Sequence, residues 1–317
     1  MVFYRGGAFR DRMDRTLIIG AAMVDNMLEL DRLPEPGEDV LARNEQLLVG
    51  GCALNVATVL KAFDVPYELL VPVGNGKNAA IVREEMRARG FRIVLEVDSG
   101  DNGYCLALVD NQGERTIITL PGVELSFRPD WFDRVDPSRF ARVYVTGYEI
   151  GGGGGGHIVE FLKAHPHLAI FFAPGPRISG IPDERMEELL CLGPVLHLNR
   201  NEALACARRD TVNAAIAYIQ NKTRAPVIVT CGAEGAVVAG DCPASGDPSA
   251  AGAVTAVPGV PARVVDTAGA GDAHMGGILT ALGYGKPLLE AVRFANRVAA
   301  SVVEKKGSCY TAGVRKV

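Results

Sequence analysis

The chain has 317 residues, 48% of them hydrophobic and 22% charged, which is material for one large or two modest globular domains. A formal net charge of -4 gives no electrostatic footing for nucleic acid or an anionic membrane, and no stretch reaches the ~18 apolar residues of a membrane span. Its 7 cysteines are odd in number, widely spaced and without a Cys-x-x-Cys pair, which argues against structural zinc and for reduced thiols in a cytoplasmic protein that handles small molecules.

Residues 1–15 are rich in arginine and glycine, lack an apolar segment and are expected to form a disordered leader. Residues 16–25 read as a buried parallel strand that delivers Asp25 to its carboxyl end, where open α/β sheets bind ligands; a capping role for Asp25 is the alternative. Broken alternation over 28–49, around Pro34-Glu35-Pro36-Gly37, predicts a hairpin foreign to a wound sheet. Gly50-Gly51 then opens a helix to about Phe63; the glycines permit close backbone approach, and Asn55 offers both a donor and an acceptor to a hydroxyl. Strands at 67–73 and 93–97 flank a helix at 79–89, and segments 103–110 and 115–120 flank Asn111-Gln112-Gly113 as a second hairpin. The two hairpins predict a small antiparallel sheet inserted as a lid.

The strand at 143–149 leads into six consecutive glycines, 151–156, expected to be a flexible loop before a helix at 158–164; the run lacks the Gly-Lys-Ser/Thr ending of a P-loop. Short apolar strands at 168–172, 195–198 and 227–230 alternate with helical stretches, which predicts a doubly wound parallel sheet. The five histidines have no metal-ligand spacing and read as structural or surface residues. Asn199-Arg200-Asn201-Glu202 follows a strand and either holds Mg²⁺ through water or caps a helix. Thr230-Cys231-Gly232-Ala233-Glu234-Gly235 is either a hairpin turn or a nucleotide contact. Asn296 lies on a small-residue helix that suits either a flat wall beside adenine or tight packing.

The string Asp266-Thr267-Ala268-Gly269-Ala270-Gly271-Asp272 carries the most chemistry. An apolar approach at 262–265 and a helix-compatible run at 273–282 make it a loop entering a helix. The first N–H groups of a helix have no internal partner, and bare glycines there let an anion such as phosphate approach. A carboxylate beside that anion hole makes sense as a base removing a proton from an attacking hydroxyl, a role that falls to Asp272. A tight turn with Asp272 as a cap is the plainer alternative. A dinucleotide fingerprint is excluded, because its third glycine falls on His274.

Taken together, Gly50-Gly51-x-x-x-Asn55-x-Ala57, Asn199-x-x-Glu202, Thr230-x-Gly232-x-x-Gly235 and Asp266-Thr267-x-Gly269-Ala270-Gly271-Asp272 resemble, in order and separation, the ribokinase/PfkB family of carbohydrate kinases. The resemblance covers residues 16–311. It implies a ribokinase-like three-layer α/β/α doubly wound sheet with a small β lid that often serves as a dimer contact. The implied activity is ATP-dependent phosphorylation of a primary hydroxyl on a sugar or sugar-like compound; a nucleoside kinase and a catalytically silent sugar-binding regulator are the alternatives. The resemblance also assigns the site. Asp272 is the base, with Gly269, Ala270 and Gly271 as the anion hole. Asp25, Gly51, Asn55 and Glu149 hold the sugar. Asn199 and Glu202 organise Mg²⁺ and phosphate, while Thr230, Gly232, Gly235 and Asn296 line the ATP site. Asp266, Ala268, Val302, Gly307 and Thr311 match a K⁺ site. Cys52 and Met275 depart from the family pattern, where lysine and a nearby phenylalanine are common, and Cys52 bears on the identity of the sugar. The chain closes at Val317, about a helix short of the family pattern.

Overall fold

Every residue of the first strand, β1 (Thr16–Ile19), is buried, and its alternate side chains enter two different cores. Ile18 joins one apolar cluster, and Leu17 and Ile19 join another. A strand buried on both faces belongs inside a layered sheet. The computed structural model describes residues 14–240, 254–311, 314 and 317.

After β1 come β2 (Met23–Glu29), β3 (Asn44–Gly50), α1 (Cys52–Ala62), β4 (Tyr67–Leu70), β5 (Pro72–Val73), α2 (Lys77–Ala88) and β6 (Leu95–Glu96). Next are β7 (Tyr104–Val109), β8 (Arg115–Leu120), β9 (Arg142–Thr146), α3 (Gly147–Gly151), α4 (Gly155–Ala164), β10 (Ala169–Ala173) and α5 (Asp183–Cys191). The chain continues with β11 (Val195–Asn199), α6 (Arg200–Ala207), α7 (Val212–Thr223), β12 (Val227–Thr230), β13 (Gly235–Ala239), β14 (Val254–Pro258), α8 (Ala270–Gly283) and α9 (Leu288–Val303).

The main sheet has the order β14-β13-β12-β11-β10-β9-β1-β4. From β4 to β12 its neighbours run parallel, and β13 joins antiparallel to both β12 and β14. Helices α1, α2, α8 and α9 build the core on one face; α4, α5, α6 and α7 build the other. The three-layer α/β/α expectation therefore holds. Among the described residues no helix is long and apolar enough to cross a membrane, and the six described cysteines are free thiols.

The second sheet, β3-β2-β7-β8, corrects the sequence reading of residues 16–25. The strand ends at Ile19, the chain bends at Gly20, and β2 begins at Met23, so Asp25 belongs to the small sheet and not to the carboxyl end of β1. The first hairpin likewise uses 23–29 and 44–50 around a loop, and β2 pairs with β7 in parallel. The strand expected at 67–73 breaks into β4 and β5, and residues 262–265 form no strand. The leader expectation lies outside the described residues for 1–13, but Asp14 and Arg15 are tied down: Arg142 donates to the Asp14 carboxylate at 2.8 Å, and the Ala141 N–H donates to the Arg15 carbonyl.

Part of the glycine run is packed, contrary to expectation. Gly151 ends α3, and Gly155 starts α4. A β-carbon on Gly154 would lie 2.1 Å from the Phe127 amide nitrogen, so only glycine lets these two backbones meet.

The link between the sheets depends on Asn102, which sequence reading passed over. Its side chain is buried; Oδ1 accepts from the Gly74 N–H at 2.9 Å, and Nδ2 donates to the carbonyls of Ala22 and Pro72 at 2.9 and 3.0 Å. Its own carbonyl accepts from Asn78 Nδ2. One amide thus joins the β1–β2 crossing, β5 and the entry to β7. Asn102→Ala strands one N–H and two carbonyls, and the expected loss is about 2–4 kcal/mol of unfolding free energy. Urea titration checks this as a lowered midpoint at unchanged m-value; a loss under about 0.5 kcal/mol would mean that water replaces those bonds.

Candidate active site

At the start of α8 the chain turns through Gly269 with φ 72°, and a β-carbon there would sit 2.1 Å from the Ser308 carbonyl oxygen. This close approach holds the helix end against the 304–310 segment. The Ala270 N–H bonds the Thr267 carbonyl at 3.2 Å, and the Ala273 N–H bonds the Gly269 carbonyl at 2.8 Å. Between them, the amides of Gly271 and Asp272 have no acceptor among the described residues, as the first turn of a helix requires. Of the three amides expected to form an anion hole, that of Ala270 is already spent on a turn, and the Asp272 amide joins those left free.

Asp272 stands half-buried beside these amides, and Asn55 Nδ2 donates to its Oδ2 at 2.8 Å. Asn55 Oδ1 in turn accepts from Ser308 Oγ and Cys309 Sγ. Burial pushes the Asp272 carboxyl above its usual range, while hydrogen bonds from Asn55 and Cys52 work the other way. Asp25 is raised to about 6, by burial first; a Cys105 hydrogen bond opposes this, the Asp272 charge adds to it, and Arg115 opposes it. Glu149 is raised to about 8, mainly by burial, although Thr146 Oγ donates to its Oε2. Asn55 and Asp25 thus gather at Asp272. Gly51 caps α1 with φ 108°.

A cavity of about 370 Å³ opens beside Asp272. Thr146, Ala173, Asn199 and Thr230 line it, each from the carboxyl end of a parallel strand, and residues 269–272 close it. This is the ligand position of an open α/β sheet. Asn199 and Glu202 on its wall form a reciprocal capping box: Glu202 N–H to Asn199 Oδ1 at 2.8 Å, Asn199 N–H to Glu202 Oε2 at 2.9 Å. Thr230 Oγ donates to the Leu198 carbonyl at 3.3 Å. Gly232 and Gly235 form the β12–β13 hairpin, both at positive φ. Glu149 does not line the cavity; it lies buried beneath it, with Thr146 between. A larger groove, about 490 Å³, lies at the amino ends of β1 and β4 near Arg15, Arg92 and Arg139, far from this chemistry.

Asn296 is placed differently from its expected nucleotide role. It is buried, its Nδ2 donates to the Val257 and Pro258 carbonyls, and its Oδ1 bonds His274 Nε2 at 3.0 Å. With Oδ1 as acceptor, His274 carries its proton on Nε2. Its Nδ1 then accepts from His197 Nε2 at 2.9 Å. Burial lowers both imidazoles, His274 to about 4, so the pair stays neutral. This string ties the N-terminal part of α8 to β11 and α9.

Three of the five candidate K⁺ positions, Asp266, Val302 and Thr311, already have their oxygens bonded within the protein. Asp266 Oδ1 accepts from the Ala268 N–H, and Oδ2 accepts from the Gly307 N–H at 2.9 Å and the Arg115 guanidinium at 2.7 Å. Burial acts to raise this carboxyl, but the two amides and Arg115 outweigh it and hold it low. The Val302 carbonyl accepts from the Glu304 and Lys305 amides, and Thr311 Oγ accepts from Lys305 Nζ at 2.9 Å.

Residues 13–313 match the family model described as the pfkB family carbohydrate kinase. The chain belongs to the PfkB family of carbohydrate kinases. It is 36% identical over 295 residues to the uncharacterized sugar kinase YegV of Escherichia coli, covering 92% of this chain and 89% of that one. Among PfkB-like folds of known structure, a ribokinase from Thermotoga maritima superposes with a TM-score of 0.78 at 23% identity, over 93% and 94% of the two chains. The Arabidopsis thaliana ribokinase complexed with ribose and ATP gives 0.76 at 22%, again over 93% and 94%. As a PfkB member the chain is a carbohydrate kinase.

Sequence reading missed Cys105, Thr146, Arg115 and His197 as contributors to this PfkB site. Only Thr146 and His197 carried a signal, each at the end or within a strand pointing at the cavity.

The raised Glu149 carboxyl has a thermodynamic signature. Its folded value, about 8, exceeds the ordinary 4.5, so the native state holds the proton more tightly. Its stabilising contribution is complete below pH 4.5 and is lost as pH rises through about 8. Glu149→Gln removes that slope, up to about 1.4 kcal/mol per pH unit. Relative to wild type, the variant should gain stability steadily between pH 5 and pH 8 in urea titrations; a constant gap would contradict the burial argument.

Proposed function

We propose that this PfkB kinase transfers the terminal phosphoryl group of ATP to a primary hydroxyl of a sugar or sugar-like compound. The observation that carries this reading is the Asp272 carboxylate standing at the same helix end as the unbonded amides of Gly271 and Asp272. A base and an anion cradle with one shared origin suit attack by a hydroxyl on a phosphoryl group. Asn55 orients the base; Asp25, Gly51 and Asn55 meet the acceptor, and Glu149 supports it through Thr146. Among the described residues no three His, Cys, Asp or Glu side chains converge on a metal position. Mg²⁺ would therefore be held by the nucleotide phosphates, with water bridging to the Asn199–Glu202 box, a common arrangement for this ion. Thr230, Gly232 and Gly235 line the nucleotide side. Positioning and charge neutralisation supply most of the catalysis.

The small sheet acts as a lid and as a dimer contact. Leu47, Leu106 and Ile118 stand in one row across it with Asn26, on the face turned away from Asp25, and Leu47 and Ile118 are 54% and 50% exposed. Leu48 and Ile117 belong to the opposite face. A second lid is the natural cover for such a row. Light scattering at micromolar concentration should give a dimer mass that Ile118→Glu halves; a monomeric wild type would refute the contact.

The activity is tested by ADP release over pentoses, hexoses, ketoses and nucleosides, with turnover confined to nucleosides marking a nucleoside kinase. With the substrate in hand, Asp272→Asn should lower kcat by about 10²–10⁴-fold while ATP still binds. Near-wild-type turnover would remove Asp272 as the base, and no turnover of any acceptor by the wild type would remove the kinase reading.

A further inference from the structure

Arg115 opens β8, and the strand register sets its direction. Cys105 pairs with Thr119 and Val109 with Arg115, so Arg115 shares a face with Thr119, Cys105 and Asp25. From there the guanidinium crosses to the loop before α8 and meets Asp266 at 2.7 Å; the carboxylate is 4% exposed and the arginine 27%. The same carboxylate holds two backbone amides. Ala268 directly precedes Gly269, and Gly307 directly precedes Ser308, whose carbonyl abuts Gly269. Asp266 therefore sets the spacing of the two segments that shape the anion cradle, and its charge needs a partner to stay ionised while shielded from water.

A second ion pair repeats the bridge. Lys306 lies 3.6 Å from Glu29, and Glu29 pairs with Val109 and so shares the cross-strand row of Arg115. One end of the small sheet is thus joined to the 304–307 segment and to Asp266 by two oppositely directed charge pairs. Two further acceptors near a would-be cation are also committed, the Val302 carbonyl to two amides and Thr311 Oγ to the Lys305 ammonium.

We infer that Arg115 of the lid is a built-in replacement for the monovalent cation: its guanidinium, held at Asp266, fixes the cradle when the lid lies over the site, so this chain needs no K⁺. The lid interpretation rests on the proposed function, but the cation statement does not, because it is read from stability as well as turnover.

The test compares KCl, NaCl and tetramethylammonium chloride at one ionic strength, on the full chain. Wild type should melt at the same temperature in all three, with turnover equal within about 2-fold. Arg115→Ala leaves Asp266 without its charge partner. In tetramethylammonium it should lose about 10- to 100-fold in kcat, less than the ~10²–10³-fold cost of removing a preorganised donor outright, because the amides remain and only their alignment is loosened. K⁺ should then raise both its melting temperature and its turnover, with saturable dependence, and Asp266→Asn added to Arg115→Ala should abolish that response. A saturable rise in wild-type melting temperature specific to K⁺ would overturn the inference, as would an Arg115→Ala variant indifferent to every salt. If Arg115→Ala does not fold, Arg115→Gln takes its place, and the wild-type melting comparison still decides. Should the chain phosphorylate no acceptor, the melting temperatures by themselves decide whether the cation is needed.

Discussion

At one helix end this protein sets a half-buried carboxylate, whose charge burial disfavours, beside unbonded amides that favour negative charge. The amides at the start of α8 attract negative charge, while Asp272 is itself an anion whose charged form burial disfavours. Asn55 and Cys52 lower the cost by hydrogen bonding the carboxylate, and Gly269 lets the 304–310 segment press against the turn that orients the amides. The position of α1, which brings Asn55 and Cys52, and of α9, which leads into Ser308, follows from that one requirement.

Layer geometry supplies the rest. Parallel strands end on the same side of the sheet, so Thr146, Ala173, Asn199 and Thr230 reach one cavity although 84 residues separate the first from the last by number. The neutral string His197–His274–Asn296 then locks α8 to β11 and α9 without adding charge near Asp272. A protonated imidazole there would compete for the base; burial prevents it.

The parts of the site formed by local sequence were readable in advance. The Gly-Ala-Gly-Asp turn, the Asn199–Glu202 cap and the β12–β13 turn are set by residues a few positions apart, where propensity and capping rules operate. Asp25 was put on the wrong sheet, because Thr16 to Asp25 is apolar enough to run as one strand and only tertiary packing reveals the bend at Gly20. The antiparallel strands β13 and β14 went unread for a similar reason: Gly235–Ala239 is short, begins with glycine and looks like loop. Arg115 could not be found at all from sequence, since its partner lies 151 residues away and an isolated arginine after a hairpin turn is ordinary surface chemistry.

The glycine run after β9 is uniform in letters but not in surroundings. A side chain at Gly156 would enter open space, whereas one at Gly154 would strike the backbone of Phe127 and one at Gly155 the carbonyl of Ile150. A stretch that a complexity filter would set aside as linker is therefore a mosaic of permissive and forbidden sites. Substitutions along it will be selected position by position, and a length change of one residue would carry the forbidden contacts onto different glycines.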